Sequence, residues 1–463
     1  MSKVAIFWHR KDLRIKYNKA LSEAAKSAHI IPLFIYNPKD YGEAQRVWLY
    51  HSLQKLSLQY NNKLIVRIGD PVEVLDEIIA SSKADYLFWN RQYEPEAISS
   101  DKKIKEFFKD KLTVESYRAN LLCEPWQIKN NQGSYFKVFT PFYKKMQLFL
   151  EENFVELEEG GDINLYENNI NSLSIDDLNL LPKNPDWGSK FLKYFTMGEK
   201  SAHEKFHDFI DKKIANYAEG RNLLNKDICS ALSPHLHFGE ISVDYIFQTL
   251  RNRLNDKQVS KFISELCWRE FSYYLLYHFK ELREQNFNSK FDSFPWQNNM
   301  HLFNKWAKAK TGYPVIDAAM TELYQTGYMH NRARMIVASF LIKDLFIDWR
   351  IGEEFFWNQL LDADMANNSA SWQWVAGSGA DAAPYFRIFN PITQGEKFDD
   401  DGTYIRKWLP ILSKLSNKYI HRPWEASEKE LDFAGVKLGE NYPKPIVNHA
   451  DARNKALEIF KNL

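Results

Sequence analysis

Residues 311–410 decide the reading: TGYPVIDAAM (311–320), GYMHNRARMIVASFLIKDLFIDWR (327–350), LLDADMANNSASWQWVAGSGADAAPYFRIFNPITQGEKF (360–398) and IRKWLP (405–410). The tract interleaves Asn331, Arg332, Arg334, Asp362, Asp364, Asn367 and Asn368 with Trp349, Trp357, Trp372, Trp374 and Trp408. Apolar residues recur at helical spacing through Val315–Tyr324, Asn331–Asp344 and Glu353–Leu361, so the polar residues interrupt helical core faces. Acids, amides, arginines and indoles at this density suit a buried polar cofactor. They equally suit a surface that grips phosphates.

Working outward, the same helical spacing runs through Lys261–Phe279, and few β-type alternations occur after residue 197. The first 120 residues differ. Strand-like runs at Val4–His9, Ile30–Tyr36, Lys63–Ile68, Tyr86–Asn90 and Leu112–Tyr117 alternate with amphipathic stretches such as Arg46–Tyr60 and Val72–Ser81. Short apolar strands between helices predict a parallel sheet covered on both faces. Gly69-Asp70-Pro71 ends one strand and opens a helix with Pro at its start. No G-x-G-x-x-G follows the first strand, so a dinucleotide site of that kind is not expected there. The expected organisation is an α/β domain over 1–130, an interdomain linker over 131–196 and an all-α domain over 197–463. Within the linker, residues 151–186 hold ten acids against one Lys. Their weak periodicity predicts a surface-bound connection.

Composition sets bounds. The length of 463 residues fits two or three domains. The net charge of +1 argues against a globally basic nucleic-acid binder, so any DNA site must be a local basic groove. Aromatics reach 15%, which suits large stiff cores and also stacking or redox chemistry. Cys123, Cys229 and Cys267 are too few and too scattered for a disulfide framework or a four-cysteine cluster. VAIFW is too short for a secretory signal, and no apolar run approaches the ~20 residues of a membrane span. The expectation is an intracellular protein without a metal, acting as a monomer.

Five polar constellations remain. Glu265 and Trp268 lie three apart on one helix and share a face. A carboxylate beside an indole can stack a base and bond its edge, and alone it also suits a salt-bridged Glu beside a core Trp. In His330-Asn331-Arg332-Ala333-Arg334-Met335, residues Asn331 and Arg334 share a face while Arg332 is rotated by roughly 100° from Asn331. One Arg therefore faces an internal anion while the other reaches a different surface. Asp362-Ala363-Asp364 precedes Asn367-Asn368; a buried carboxylate needs a partner, and Arg334 is a natural one for Asp362. Trp372-Gln373-Trp374 sends its indoles roughly 200° apart. Finally, Tyr217–Arg221 and Cys229-Ser230-Ala231-Leu232-Ser233 set hydroxyls and backbone N–H groups before a helix, an anion site.

These motifs, with WHRKDLR (8–14) and YPKPIV (442–447), closely resemble the photolyase/cryptochrome family over essentially the whole chain, most like a class I cyclobutane pyrimidine dimer photolyase. The resemblance implies one non-covalent FAD per chain. Tyr217, Cys229, Ser230, Ala231, Leu232, Ser233, Asn331, Arg334, Asp362, Ala363, Asp364 and Asn368 would bind it, with Asn368 against the reactive ring nitrogen. The family pattern usually has Thr where this chain has Cys229, and a thiol is a weak donor. Trp372, Trp349 and Trp296 would form an electron relay to the surface. Glu265, Trp268, Met335 and Trp374 would line the lesion pocket. Arg221, Arg269, Arg332, Arg387 and Lys397 would join Asn331 in contacting DNA.

The activity so implied is light-dependent repair of cyclobutane pyrimidine dimers in DNA, by electron transfer from photoexcited reduced FAD to the flipped-out dimer. Three branches of the family differ at diagnostic positions. Plant-type cryptochromes usually carry Asp at the Asn368 position and Tyr at Trp374. Enzymes for (6-4) photoproducts carry His at the Asn331 and Met335 positions. Single-strand-directed cryptochromes carry Ser at His330. A blue-light photoreceptor signalling through a protein partner is the alternative, disfavoured by the short run ALEIFKNL at the end. An antenna chromophore, whether folate, deazaflavin or flavin, fits the N-terminal domain, and Glu94–Ala97 with Leu282–Arg283 match the folate pattern poorly. The expected location is cytoplasmic, on the nucleoid when bound to DNA.

Overall fold

Five short runs build one sheet, and the three central ones are apolar and buried on both sides. The computed structural model describes residues 3–26, 28–167, 169–382 and 386–463. Strands Val4–His9 (β1), His29–Tyr36 (β2), Ile65–Ile68 (β3), Tyr86–Asn90 (β4) and Thr113–Tyr117 (β5) pair in the order β3-β2-β1-β4-β5, all parallel. β1 and β4 have the predicted bounds, while β3 starts two residues later than the apolar run. All six β1 residues are buried, as a central parallel strand requires. The turn after β3 is as predicted: Asp70 Oδ1 accepts from Val72 N at 2.9 Å and Pro71 opens the helix Pro71–Ser82.

The strand order reverses at β1 and β4, the point where such sheets offer a ligand crevice. Here side chains occupy it. Arg10 Nη1 donates to Asp101 Oδ1 at 2.8 Å, Asn90 Nδ2 to Asp12 Oδ2 at 2.6 Å, and Lys11 Nζ to Glu94 Oε1 at 2.5 Å.

The chain divides into two compact units. The first comprises residues 1–217, 230–280 and 361–366; the second comprises 218–229, 281–360 and 367–463. The first contains the sheet, the helix Lys257–His278 and the acidic 151–186 stretch. That stretch hugs the sheet: Tyr166 N donates to Ile30 O at 2.9 Å and Leu173 N to Val66 O at 3.0 Å. It thereby covers β3, an edge strand that would otherwise present unpaired backbone groups. The flanking segments Phe139–Asn153 and Pro185–Phe191 are helical.

The second unit is helical. Pro314–Thr326, Asn331–Lys343 and Trp349–Gln359 correspond to periodic runs read from sequence, while Met365–Ala376, which continues from the first unit, is not among them. Gly327, at φ +67°, ends the first of them in the left-handed conformation glycine tolerates. Among the described residues no helix is long and apolar enough to cross a membrane.

Candidate functional site

In the first unit, the Ser230–Ser233 loop is conformationally strained. Ala231 adopts φ +51°, a left-handed geometry that costs a non-glycine residue roughly 1–2 kcal/mol. Such strain collects where a loop must aim its backbone groups. Ser230 Oγ accepts from Leu232 N at 3.4 Å, and Ser233 Oγ donates to Asp362 Oδ2 at 2.5 Å. The helix that follows, Ser233–His237, is barely one turn, so the anion-binding potential rests on the loop itself. Asp362, Ala363 and Asp364 are all buried, and Gln45 Nε2 pins their backbone by donating to Ala363 O at 2.8 Å. Asp364 contributes to holding the proton on buried Lys11. Tyr217 packs edge-on against Phe209 and Phe262.

The Lys257–His278 helix sets Glu265 and Trp268 together, both half-buried. Glu265 pairs with Lys261 at 2.7 Å. The Trp268 indole stacks on Phe139, ring centroids 3.7 Å apart, so one of its faces is taken. Arg269 turns inward instead. Its Nη1 donates to Asn120 O at 2.6 Å, its charge lies 3.5 Å from Glu270, and it covers the Tyr273 ring at 5.1 Å. This geometry gives its expected DNA contact no support. Glu270, which sequence reasoning missed, is 2% exposed, and burial pushes its carboxyl up to about 8.

In the second unit, His330 caps the Asn331–Lys343 helix. Its Nδ1 accepts from Arg332 N at 3.1 Å, so the neutral ring carries its proton on Nε2, which lies 3.5 Å from Cys229 Sγ. Cys229 Sγ in turn lies 3.7 Å from Arg221 O. Where the family pattern has a hydroxyl, this thiol joins two chain segments. Burial, followed by Arg221, Arg332 and Arg334, pushes His330 down to about 4. Nothing in the residue spacing announced this lock.

The two arginines part as their angular separation predicts. Arg334 Nε donates to Met329 O at 2.8 Å, with its guanidinium 5.3 Å from the Tyr328 ring. Arg332 Nη2 donates to Asn222 Oδ1 at 2.8 Å, and its guanidinium lies 4.5 Å from the Phe398 ring. Lys397 lies over the same ring at 5.3 Å. Burial, then the charges of Arg221 and Arg387, lower the proton affinity of Arg332. Four expected phosphate contacts therefore lie in one neighbourhood. Asn331 is exposed at the start of the helix, and Met335 is half-buried one turn on.

Asn368 is buried, and its Nδ2 donates to Glu353 O at 3.0 Å and to Glu353 Oε1 at 2.9 Å. This fixes the amide and turns Oδ1 away from Glu353. Burial raises the Glu353 carboxyl, and Arg283 opposes that rise.

Two of the indoles are buried, Trp372 at 2% and Trp349 at 0% exposure, while Trp296 is only partly buried. Trp349 Nε1 donates to Asn286 Oδ1 at 2.9 Å, and Trp296 packs on Phe294 at 4.3 Å. Trp374, two residues from Trp372, is half-buried and donates to Asp381 O at 3.1 Å. Gln373 between them is fully buried and satisfied, donating to Leu282 O and Gln285 O and accepting from Phe287 N. It fixes the rotation of the helix, and with it the direction of both indoles. A Cβ on Gly352 would sit 2.2 Å from Trp372 Cη2. Gly352→Ala is therefore expected to destabilise by about 1–3 kcal/mol despite the better helix propensity of Ala. Denaturant titration checks this; an unchanged midpoint would show that Trp372 can shift freely.

The sequence matches two family models: DNA photolyase over residues 5–158, and the FAD binding domain of DNA photolyase over residues 262–462. It is 44% identical to the deoxyribodipyrimidine photo-lyase of Agrobacterium fabrum, covering 98% of this chain and 97% of that one. It is 35% identical to cryptochrome-2 of Arabidopsis thaliana, covering 98% of this chain and 78% of that one. Its fold superposes on a bacterial class III photolyase from Agrobacterium tumefaciens with a TM-score of 0.95 and 43% identity, over 100% and 98% of the two chains. With an N-terminal five-stranded parallel α/β sheet and a helical FAD-binding region, this chain belongs to the photolyase/cryptochrome family, as a FAD-binding enzyme.

Proposed function

We propose that this enzyme repairs cyclobutane pyrimidine dimers in DNA under blue or near-ultraviolet light. The observation that carries the reading is the gathering of Arg221, Arg332, Arg387 and Lys397 around the Arg332–Phe398 contact. A chain of net charge +1 has concentrated cations at one place, as phosphate recognition requires. The likeness to a structure described as class III supports that class over the class I expected from sequence.

The residues present fit FAD. In the first unit, Ser230 and Ser233 with the strained Ala231 suit its diphosphate, and buried Asp362 and Asp364 suit its other polar groups. In the second unit, the resemblance assigns Arg334 and Asn368 to the polar edge of its ring system. Reduced FAD, when bound, supplies the electron that opens the cyclobutane ring. The remaining steps belong to the chain. The four cations hold the strand. A flipped dimer costs a few kcal/mol to extrude, least at a damaged site. Trp268 in the first unit offers a stacking face, as does Trp374 in the second, and each base stacked on an indole returns about 1–3 kcal/mol. Glu265 bonds its edge. Phe139 backs the Trp268 indole and keeps it from rotating away.

Purified protein is expected to hold one non-covalent FAD per chain and to restore thymines in dimer-bearing oligonucleotides under light. Release of flavin on denaturation and product chromatography read the two properties. Folded protein that never takes up flavin defeats the reading. Full flavin with no repair favours a light receptor instead, the role the likeness to a cryptochrome supports.

A further inference from the structure

We propose that Lys343 is a positioning residue for DNA binding: buried in the Asn331–Lys343 helix, it holds the main chain at Arg387 and so aims that guanidinium at the phosphates beside Arg332. The proposal rests on the DNA reading above.

Positions 332, 339 and 343 fall within about 40° of one another around a helix of 3.6 residues per turn. One face of this helix therefore carries Arg332 in its first turn and Ser339 and Lys343 further along. Those last two grip the segment Phe386–Asn390. Lys343 Nζ donates to Arg387 O, and Ser339 Oγ accepts from Phe389 N at 3.2 Å. At its far end Asn390 caps the helix Pro391–Phe398, accepting from Ile392 N at 2.9 Å. Phe386 and Phe389 are buried while Arg387 points outward between them. Two backbone anchors thus fix the one residue of the strap whose side chain reaches the basic cluster.

The choice of lysine is physically expensive. Lys343 is 2% exposed, and a buried ammonium costs several kcal/mol unless paired. A leucine would fill the same space without that penalty. The Arg387 carbonyl and the Phe386 ring, 4.3 Å away, compensate only in part. Burial pulls Lys343 down to about 7, with Arg387 adding to the fall and Asp344 opposing it. Those are the charges that face it, together with His449 of the helix His449–Lys461, which bonds Asp344 Oδ1 at 2.5 Å.

Binding and stability then move in opposite directions with pH. Below about pH 7 the ammonium makes a charge-assisted bond to the strap; above it a neutral amine makes a weaker one. The folded-state proton affinity lies below that of the unfolded chain, so the burial penalty disappears and stability rises as pH climbs from about 7 toward 10.5.

The test is anisotropy titration of a dimer-bearing duplex between about pH 6 and pH 9 with the flavin-loaded enzyme and its Lys343→Met, Arg387→Ala and double variants. Lys343→Met is expected to bind roughly tenfold more weakly at the low-pH end, the fold-change of losing a charge-assisted bond. It should lose the pH dependence of the parent and add nothing in the Arg387→Ala background. If Lys343→Met does not fold, Ser339→Ala, which frees Phe389 N, is read the same way. Wild-type affinity in the variant, or losses that add in full, overturns the assignment. An unmodified enzyme that does not prefer dimer-bearing over undamaged DNA defeats the repair reading itself, and the Lys343 role with it.

Discussion

Trp372→Phe is expected to abolish photoreduction of oxidised FAD while leaving dimer binding, and repair by chemically reduced enzyme, nearly intact. Trp374→Ala is expected to do the reverse, weakening dimer binding by about 10- to 100-fold, the equivalent of 1–3 kcal/mol of stacking. The two residues lie on one helix, and their side chains diverge by roughly 200°. Trp372 is buried against Phe356 and Gly352, while Trp374 is half-open and tied to Asp381. Phenylalanine fills most of the Trp372 space but is far harder to oxidise, so packing survives and the relay does not. Transient absorption reads the first property and gel shift the second. If both variants lose the same property, the opposed-face assignment is wrong.

The second large effect is selectivity. The reduced enzyme is expected to restore cyclobutane dimers and to leave (6-4) photoproducts unchanged. Enzymes for the latter place His at the positions held here by Asn331 and Met335, and neither residue exchanges a proton near neutral pH. The adjacent His330 does not substitute. Its Nδ1 is spent on the Arg332 amide, its Nε2 lies on Cys229, and it stays neutral above about pH 4. Arg332→Ala should also flatten the dependence of log affinity on log salt by about 0.9, one phosphate contact. Product analysis on oligonucleotides bearing each single lesion decides. Efficient (6-4) repair would move the chain to another branch of the family.

Much of this was legible without coordinates. Short apolar runs and the period-3.6 pattern located the strands and most of the central helices, because burial of a strand or of a helix face selects apolar residues locally. Asp70-Pro71 fixed a helix start for the same local reason. What stayed hidden was long-range. Phe139 lies 129 positions from the Trp268 it stacks on, and Lys343 lies 44 from the carbonyl it holds. Gln373 reads as a polar spacer between two tryptophans, yet its bonds to Leu282, Gln285, Phe287 and Ser378 orient both. Arg269, which the resemblance places at the DNA, bonds Asn120 O and lies beside Glu270, contacts that its position in the sequence does not reveal.

The partial exposure of Trp296 beside the burial of Trp372 and Trp349 has an energetic meaning for the proposed relay. A positive hole on a buried indole lacks water to solvate it, and burying a charge costs several kcal/mol. The Arg350 guanidinium lies 4.7 Å from the Trp349 ring, but the Asp348 carboxylate 3.1 Å away offsets its charge, so burial sets the cost at the middle station. Trp296, in contact with solvent, lacks that penalty. Solvation alone would then tilt the path outward, and the hole would come to rest where an external reductant can reach it.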